Sequence, residues 1–408
     1  MFRLSWIDYD DAERRRMHDL IRLFSQPEAR DELGMGVIRD SFADLFFPGT
    51  STIQTRVKYF LFVAWIYRAL ESKGLSAREF RLQADRQERA LIKPLLDNSP
   101  DKYGVFGKMS RDVIRLPSSV YWRGLSEWGI RKFNGSQEEY FDHTIVQKKH
   151  STRIREDEDD SAPPTCWDPG LPPAPEDMLN TATLALTEDE ARYLRDCIKR
   201  SQPKSVLSRL LDFGPVDDGI TFVWEHPGMG ELDKELQEYV EHARLFSTVI
   251  HGAAITYNLY LAELVKRDGI EAGEDWHDSY LEKLAQWAAA IEAERDKYRD
   301  WRLDRFWEIV EKKTSGNSSQ ARVFMSIWVD MVKKNITNLS LISELPEIRK
   351  LVFDRELALK GKKARVASMQ SRKQWAGDTG SGMGRYEYRW SIARNFINEL
   401  TTGGTRDV

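Results

Sequence analysis

The sequence predicts a mainly α fold: two helical lobes joined by an acidic, proline-rich loop, with a few short accessory strands. Three observations carry that reading. Apolar residues recur at steps of three and four through Phe246, Ile250, Ala253, Tyr257, Leu261 and Leu264, and again through Phe324, Ile327, Trp328, Met331 and Val332. That is the period of a helix with one buried face. Five consecutive acids, Glu156 to Asp160, followed by six prolines within fifteen residues, interrupt the chain with a stretch too poor in apolar area to offset its ordering entropy. Elsewhere the chain is 41% hydrophobic and 11% aromatic, with 13 Trp in 408 residues, enough for one large or two medium cores. A mostly disordered chain is excluded.

Taken in order, residues 1–147 form an N-terminal helical domain, dense in charge and aromatics and broken at Phe47-Pro48-Gly49, Ser99-Pro100 and Leu116-Pro117. Its longest apolar run, Tyr59 to Tyr67, is nine residues. The turn Pro48 to Thr52 is expected to enter a helix beginning near Thr52. The block Leu116 to Ile130 reads as a short helix capped by Ser118 or Ser119 and stopped by Gly129. With Arg131 and Lys132 behind it, this block has the outline of a helix-turn-helix or winged-helix module, and equally that of an ordinary capped helix.

Residues 148–183 read as a linker or long exposed loop, centred on Lys148 to Pro175. A second helical domain covers 184–345. Thr187-Glu-Asp-Glu190 has capping-box spacing and predicts a helix start. Ile220 to Trp224, between Asp218-Gly219 and His226-Pro227, is the clearest strand candidate. A long surface helix is expected from Tyr280 to about Lys312, its buried stripe made by Leu284, Trp287, Ile291, Tyr298 and Trp301. Residues 346–408 form a basic-aromatic C-terminal segment packed on the second domain. No internal repeat is present.

Charge and cysteine content bound the function. The chain has 61 basic and 65 acidic side chains, a formal net charge of −4, so neither a globally basic nucleic-acid coat nor an acidic tail protein fits. Two cysteines, Cys166 and Cys197, are too few for a disulfide framework or a four-thiolate zinc site. The chain opens with no signal-peptide pattern, and a nine-residue apolar run is far short of the roughly 20 that span a bilayer. A cytoplasmic location and no membrane association are expected. There is no H-E-x-x-H, no G-x-S-x-G and no clustered Cys/His spacing; His226 and His242 lack a partner motif, and Glu231-Leu-Asp-Lys234 does not match a restriction-nuclease pattern. No metal and no cofactor are expected.

Three groups of residues have chemistry to offer. From Arg355 to Arg394 there are ten basic residues against three acids, an excess of seven on a chain of negative balance. Lys360, Lys362, Lys363, Arg365, Arg372, Lys373, Arg385 and Arg389, interleaved with Trp375, Tyr386, Tyr388 and Trp390 around Gly380 to Gly384, suit a surface that tracks a phosphate backbone and stacks bases. The bland alternative is a solvated face with its aromatics in the core, above all Tyr388 and Trp390. The glycines are not a dinucleotide or P-loop cradle, since no strand leads into them. Arg39, Thr52 and Arg56 flank the Pro-Gly turn, where amides at a helix start and a guanidinium would hold an anion, or would only pin the turn. Arg244 and His251, seven residues apart on one helix, nearly share an azimuth beside Ser247, Thr248 and Asn258. Arg244-x6-His251 resembles the signature of a family of helical ribonuclease domains, in which the arginine holds a phosphate and the histidine moves a proton. Here Leu245 stands where that motif usually has a polar residue, and a half-buried histidine is the plain alternative.

The longest motifs are Ser5-Trp-Ile-Asp-Tyr9, Arg30-Asp-Glu-Leu-Gly-Met-Gly-Val-Ile-Arg-Asp40, Leu45-Phe-Phe-Pro-Gly-Thr-Ser-Thr-Ile-Gln-Thr-Arg56 and Arg385-Tyr-Glu-Tyr-Arg-Trp390. Over nearly the full length the chain resembles an uncharacterised bacterial family of about 400 residues that opens and closes in the same way. The resemblance implies no activity and no catalytic residues. It implies an accessory gene near helicases, phospholipase-D-like nucleases and methyltransferases in phage-defence clusters. The expectation is an accessory component of such a system, more an adaptor than an enzyme, that binds nucleic acid, DNA or RNA, and protein partners such as a helicase or nuclease. The alternatives are a ribonuclease or toxin-like effector using Arg244 and His251, and a pure scaffold.

Overall fold

A computed structural model describes residues 33–108, 115–144, 165–271, 276–314, 319–375, 377 and 384–403. Its principal helices are α1 (Gly36–Phe46), α2 (Tyr59–Glu71), α3 (Ala77–Ala90), α4 (Ile92–Asn98), α5 (Pro117–Glu127), α6 (Glu188–Ser201), α7 (Val206–Leu210), α8 (Lys234–Arg267), α9 (Trp276–Ala293), α10 (Leu303–Glu311), α11 (Ser319–Lys334), α12 (Pro346–Lys360) and α13 (Trp390–Thr402). Among the described residues the only β pairing is an isolated antiparallel bridge between Arg131 and Trp167. The fold is mainly α. Its two compact units interleave in sequence: unit I is Met1–Phe42 with Glu238–Tyr388, and unit II is Ala43–Gln237 with Arg389–Val408. The sequence-based division into 1–147, 184–345 and 346–408 runs consecutively instead.

In unit II, α2 is the axis, because every residue from Tyr59 to Tyr67 is buried and the helix is apolar on all sides. Phe60 stacks on Trp128 with ring centres 3.8 Å apart, and Tyr67 lies among Phe80, Trp122, Tyr140, Phe141 and Trp167. Gly124 lets α5 come close, since a Cβ there would stand 2.4 Å from the Gly49 carbonyl oxygen. Lys58 is buried beside Glu190 of α6 and donates to the Ala185 carbonyl at 3.0 Å. Glu190 also closes the capping box that Thr187-Glu-Asp-Glu190 predicts: its amide donates to Thr187 Oγ1 at 3.3 Å, and the Thr187 amide donates to its carboxylate at 2.8 Å.

Several expectations change within unit II, each where a side chain takes over a backbone partner. Residues 51–58 hold no helix, and helix begins only at Tyr59. The Tyr121 hydroxyl accepts from the Thr55 and Arg56 amides at 2.9 and 3.1 Å and donates to the Arg56 carbonyl at 2.9 Å, which occupies the groups a helix near Thr52 needs. Ile220 to Trp224 is not a strand but a turn leading into the 3-10 helix Val223–Glu225, because the Glu225 carboxylate accepts the Thr221 and Phe222 amides at 3.1 Å. Neither Ser118 nor Ser119 caps α5; Leu116 precedes Pro117, and the Ser118 amide donates to Glu88 at 2.8 Å. Gly129, at φ 67°, does stop the helix.

Arg131 is no surface base: it is buried, donates to the carbonyls of Trp122, Phe133 and Gly135, and lies 4.3 Å over the Trp122 ring. The expected linker is buried at Cys166, Trp167, Asp168 and Leu171, whose apolar area the acid run lacks. Trp65 and Arg68 of α2 hold it by donating to Pro172 and Leu171 carbonyls. The acid run Glu156 to Asp160 lies outside the described residues.

In unit I, α8 from Glu238 onward is the axis, with Phe246, Val249, Ile250, Ala253, Tyr257 and Leu261 buried. Gly252 makes room for α9: a Cβ would meet the Trp287 ring at 2.2 Å, and the Trp287 indole donates to the Thr248 carbonyl at 2.7 Å. Trp328 of α11 donates to the Val249 carbonyl at 2.9 Å. The helix expected from Tyr280 to Lys312 is three pieces: α9, the short helix Arg295–Arg299, and α10. The expected stripe is buried through Tyr298 and Trp301, but Arg305, the heptad successor of Tyr298, is ion-paired with Glu238; burial resumes instead at Phe306, Trp307, Ile309 and Val310. A continuous helix cannot bury both sets.

Glu88 of α3 is 3% exposed, accepts from the Ser118 amide at 2.8 Å and from the Tyr67 hydroxyl at 3.4 Å, and pairs with no cation among the described residues. Loss of water pushes its carboxyl from 4.5 up to about 7. The folded protein holds this proton more tightly than the unfolded chain. The stabilising contribution is therefore complete below pH 4.5 and lost as pH rises through 7. Denaturant unfolding at acid and alkaline pH should show wild type losing about 3 kcal/mol from this group, a loss that Glu88→Gln removes.

Candidate nucleic-acid interface

The basic segment begins on α12, whose Glu356 is fully buried and collects four donors. These are the Tyr257 hydroxyl at 2.7 Å, Lys360 Nζ at 3.0 Å, and the amides of Arg365 at 3.1 Å and Val366 at 2.9 Å. A carboxylate tolerates burial only with its lone pairs filled, and filling these folds the chain back on the end of α12. The helix stops at Gly361, at φ 53°, and Gly361–Lys363 forms one 3-10 turn. Lys362 and Lys363 stand exposed on that turn. Lys373, at the end of the short helix Met369–Arg372, is also exposed. Among the described residues none of the three is ion-paired.

The other five basic residues expected to meet phosphate are engaged by the protein itself. Lys360 pairs with Glu356. Arg365 is half-buried and meets Tyr257. Arg372 is buried, ion-paired with Asp268, and donates to the Arg365 and Val366 carbonyls at 2.6 and 3.1 Å. Arg385 lies 3.4 Å from Thr248 Oγ1. Arg389, in unit II, donates to Asp44 at 2.7 Å and to the Thr50 carbonyl at 3.0 Å. Three of the four aromatics are core residues rather than stacking platforms: Trp375, Tyr388 and Trp390 are buried, donating to Asn258, Ala243 and Ile220 respectively, while Tyr386 is half-buried. Gly380 to Met383 lie outside the described residues.

Arg244 and His251 share α8, but Arg244 is clamped between carboxylates. Its Nε and one terminal nitrogen donate to Glu241 at 2.8 Å, and the other donates to Glu294 at 2.5 Å. The two acids hold the guanidinium's pKa above its already high value and surround it with negative charge, the opposite of a phosphate pocket. His251 is half-buried. The polar stripe beside it receives the C-terminal segment: Ser247 donates to the Tyr386 carbonyl at 2.9 Å, and Asn258 accepts the Trp375 indole at 3.0 Å.

Of the three residues expected to hold an anion, the two arginines are likewise committed. Arg39, in unit I, pairs with Asp40 at 3.0 Å. Arg56, in unit II, pairs with Glu399 at 2.7 Å and Asp101 at 3.3 Å. Thr52 lies in a turn and starts no helix, so the helix N-terminus on which that site depended is absent there.

Both histidines with no partner motif have structural partners: His226 Nδ1 accepts the Gly228 amide and His242 Nδ1 accepts the Trp301 indole. Among the described residues no group of three or more His, Cys, Asp or Glu is placed to hold a metal ion, and no helix is long and apolar enough to cross a membrane.

Sequence reasoning passed over Glu356 and Asp268, the carboxylates that organise this region. A signal for Glu356 is present: it is the lone acid between Arg355 and Arg372, four residues before Lys360. Asp268 has none, because its partner Arg372 is 104 residues away.

A family model described as a family of unknown function (DUF6361) matches residues 1–404, and the chain belongs to that family. No curated protein and no solved structure matches it.

Glu356→Ala should strand two backbone amides, a tyrosine hydroxyl and an ammonium in a buried site. Denaturant unfolding is expected to show a loss of about 3–5 kcal/mol, with hydrogen exchange at the Arg365 and Val366 amides accelerating first.

Proposed function

We propose that the protein is a non-catalytic accessory component of a bacterial anti-phage system, binding nucleic acid through Lys362, Lys363 and Lys373 and a helicase- or nuclease-type partner through other surfaces. The observation that supports it is a turn braced by a buried carboxylate that leaves its ammonium groups to solvent. Ammonium groups on a fixed turn neutralise phosphates without reading sequence, and the counterions they release supply the affinity. The defence setting rests on the genomic company implied by the family likeness. A ribonuclease needs an arginine open to phosphate, and Arg244 is held by Glu241 and Glu294.

The test is binding to labelled single-stranded DNA, duplex DNA and RNA at several salt concentrations. Lys362→Ala/Lys363→Ala/Lys373→Ala should weaken binding and flatten the slope of log affinity against log salt by about 0.7–0.9 for each phosphate that the variant no longer neutralises. Wild-type protein that shows no salt-dependent binding overturns the proposal and leaves the scaffold reading in its place.

A further inference from the structure

We infer that the polymer bound at this face is single-stranded; the inference rests on the proposed nucleic-acid reading and adds the class of strand. Three large apolar side chains of α12 are exposed: Phe353 at 36% and Leu357 at 39% on its outward side, and Leu359 at 39% on the opposite side at the helix end. Phe353 and Leu357 are four residues apart and so lie on one face, about 6 Å apart along the axis. The Lys362–Lys363 turn follows about one helical turn beyond. Core packing comes from the other side of the helix, at Ile348, Val352, Arg355 and Glu356, so Phe353 and Leu357 are not core positions exposed by a frayed end. Alongside them Lys350 pairs with Asp354 at 2.6 Å, which cancels its charge locally. Exposed apolar side chains on the helix are thus followed, along the chain, by exposed ammonium groups on the turn that ends it.

A duplex keeps its bases stacked inside and presents phosphates, so Phe353 and Leu357 would stay wet against it and contribute nothing. A single strand presents base faces beside its phosphates. Phe353 offers an aromatic face to one base and Leu357 an apolar surface to the next, while Lys362 and Lys363 neutralise the backbone that runs past them. The occupant is thus defined by two properties together, negative charge and unstacked π faces.

The experiment compares a labelled oligothymidylate with a labelled duplex of equal phosphate count, using the full-length protein, Phe353→Ala/Leu357→Ala, and the triple-lysine variant. Wild type should bind the single strand about tenfold more tightly than the duplex. Phe353→Ala/Leu357→Ala should erase that preference, leaving duplex affinity, salt slope and the circular-dichroism melt unchanged. The lysine variant should release both polymers together. Equal wild-type affinity for the two polymers, or a preference that survives the apolar double variant, overturns this inference and leaves the nucleic-acid reading standing. Absence of salt-dependent binding to either polymer removes both.

Discussion

Each buried indole brings an N–H that must find an acceptor, and that requirement organises both units. An unpaired buried donor costs about 1–3 kcal/mol. Nine tryptophans meet the requirement with identified partners. In unit II, Trp65, Trp122, Trp128 and Trp390 donate to carbonyls of non-helical backbone, and Trp167 donates to the Tyr140 hydroxyl. In unit I, Trp287, Trp328 and Trp375 all donate to one stretch of α8, at Thr248, Val249 and Asn258, while Trp301 donates to His242 on the same helix. The acceptors decide where each ring lies, so α9, α11 and the C-terminal segment converge on α8. Its polar stripe is explained by what lands on it.

The legible parts of the fold are those where a local rule acts alone. The apolar period marks α8 and α11, although Ile327 of the α11 period is 44% exposed, and the Thr187 capping box marks the start of α6, because neighbouring residues suffice for each. The illegible parts are those where a distant or out-of-pattern side chain replaces a backbone partner. Tyr121 holds the amides of Thr55 and Arg56 from more than sixty residues away, and no local pattern before α2 announces that. Glu225 does the same for Thr221 and Phe222 at short range, turning a strand-like composition into a 3-10 turn. The candidate site behaves alike. Eight basic residues are visible in the sequence, but which of them stay in solvent is settled by acids such as Asp268 and Asp44, the latter 345 residues from Arg389.

That sorting follows the chemistry of the two cations. Arginine's planar fork can donate to several carbonyls at once and is weakly hydrated. Arg131, Arg355, Arg372 and Arg394 accordingly tie backbone carbonyls together inside their own units, and Arg389 joins the Thr50 carbonyl to Asp44. An ammonium is a strongly hydrated point charge that loses more by leaving water. Lys58 is the exception that shows the cost: even beside Glu190, burial pulls its pKa down. The excess of seven positive charges counted from Arg355 to Arg394 therefore overstates the external field, since it includes arginines whose charge is spent on the fold.

A small set of exposed lysines has a consequence for the kind of component this is. Each neutralised phosphate adds a salt-sensitive increment that carries no sequence information, so on the proposed reading three lysines would give weak and indiscriminate binding. Weak binding becomes useful when a partner already holds the same polymer, because tethering turns the second binding event into an intramolecular one at a high effective concentration. On the proposed reading, the partner would supply the choice of site and the chemistry, and the α12 turn would supply the added hold. On the same reading the arrangement would also keep the protein off bulk nucleic acid when no partner is bound: a net charge of −4 opposes approach of phosphate, while the local basic turn attracts it only at close range.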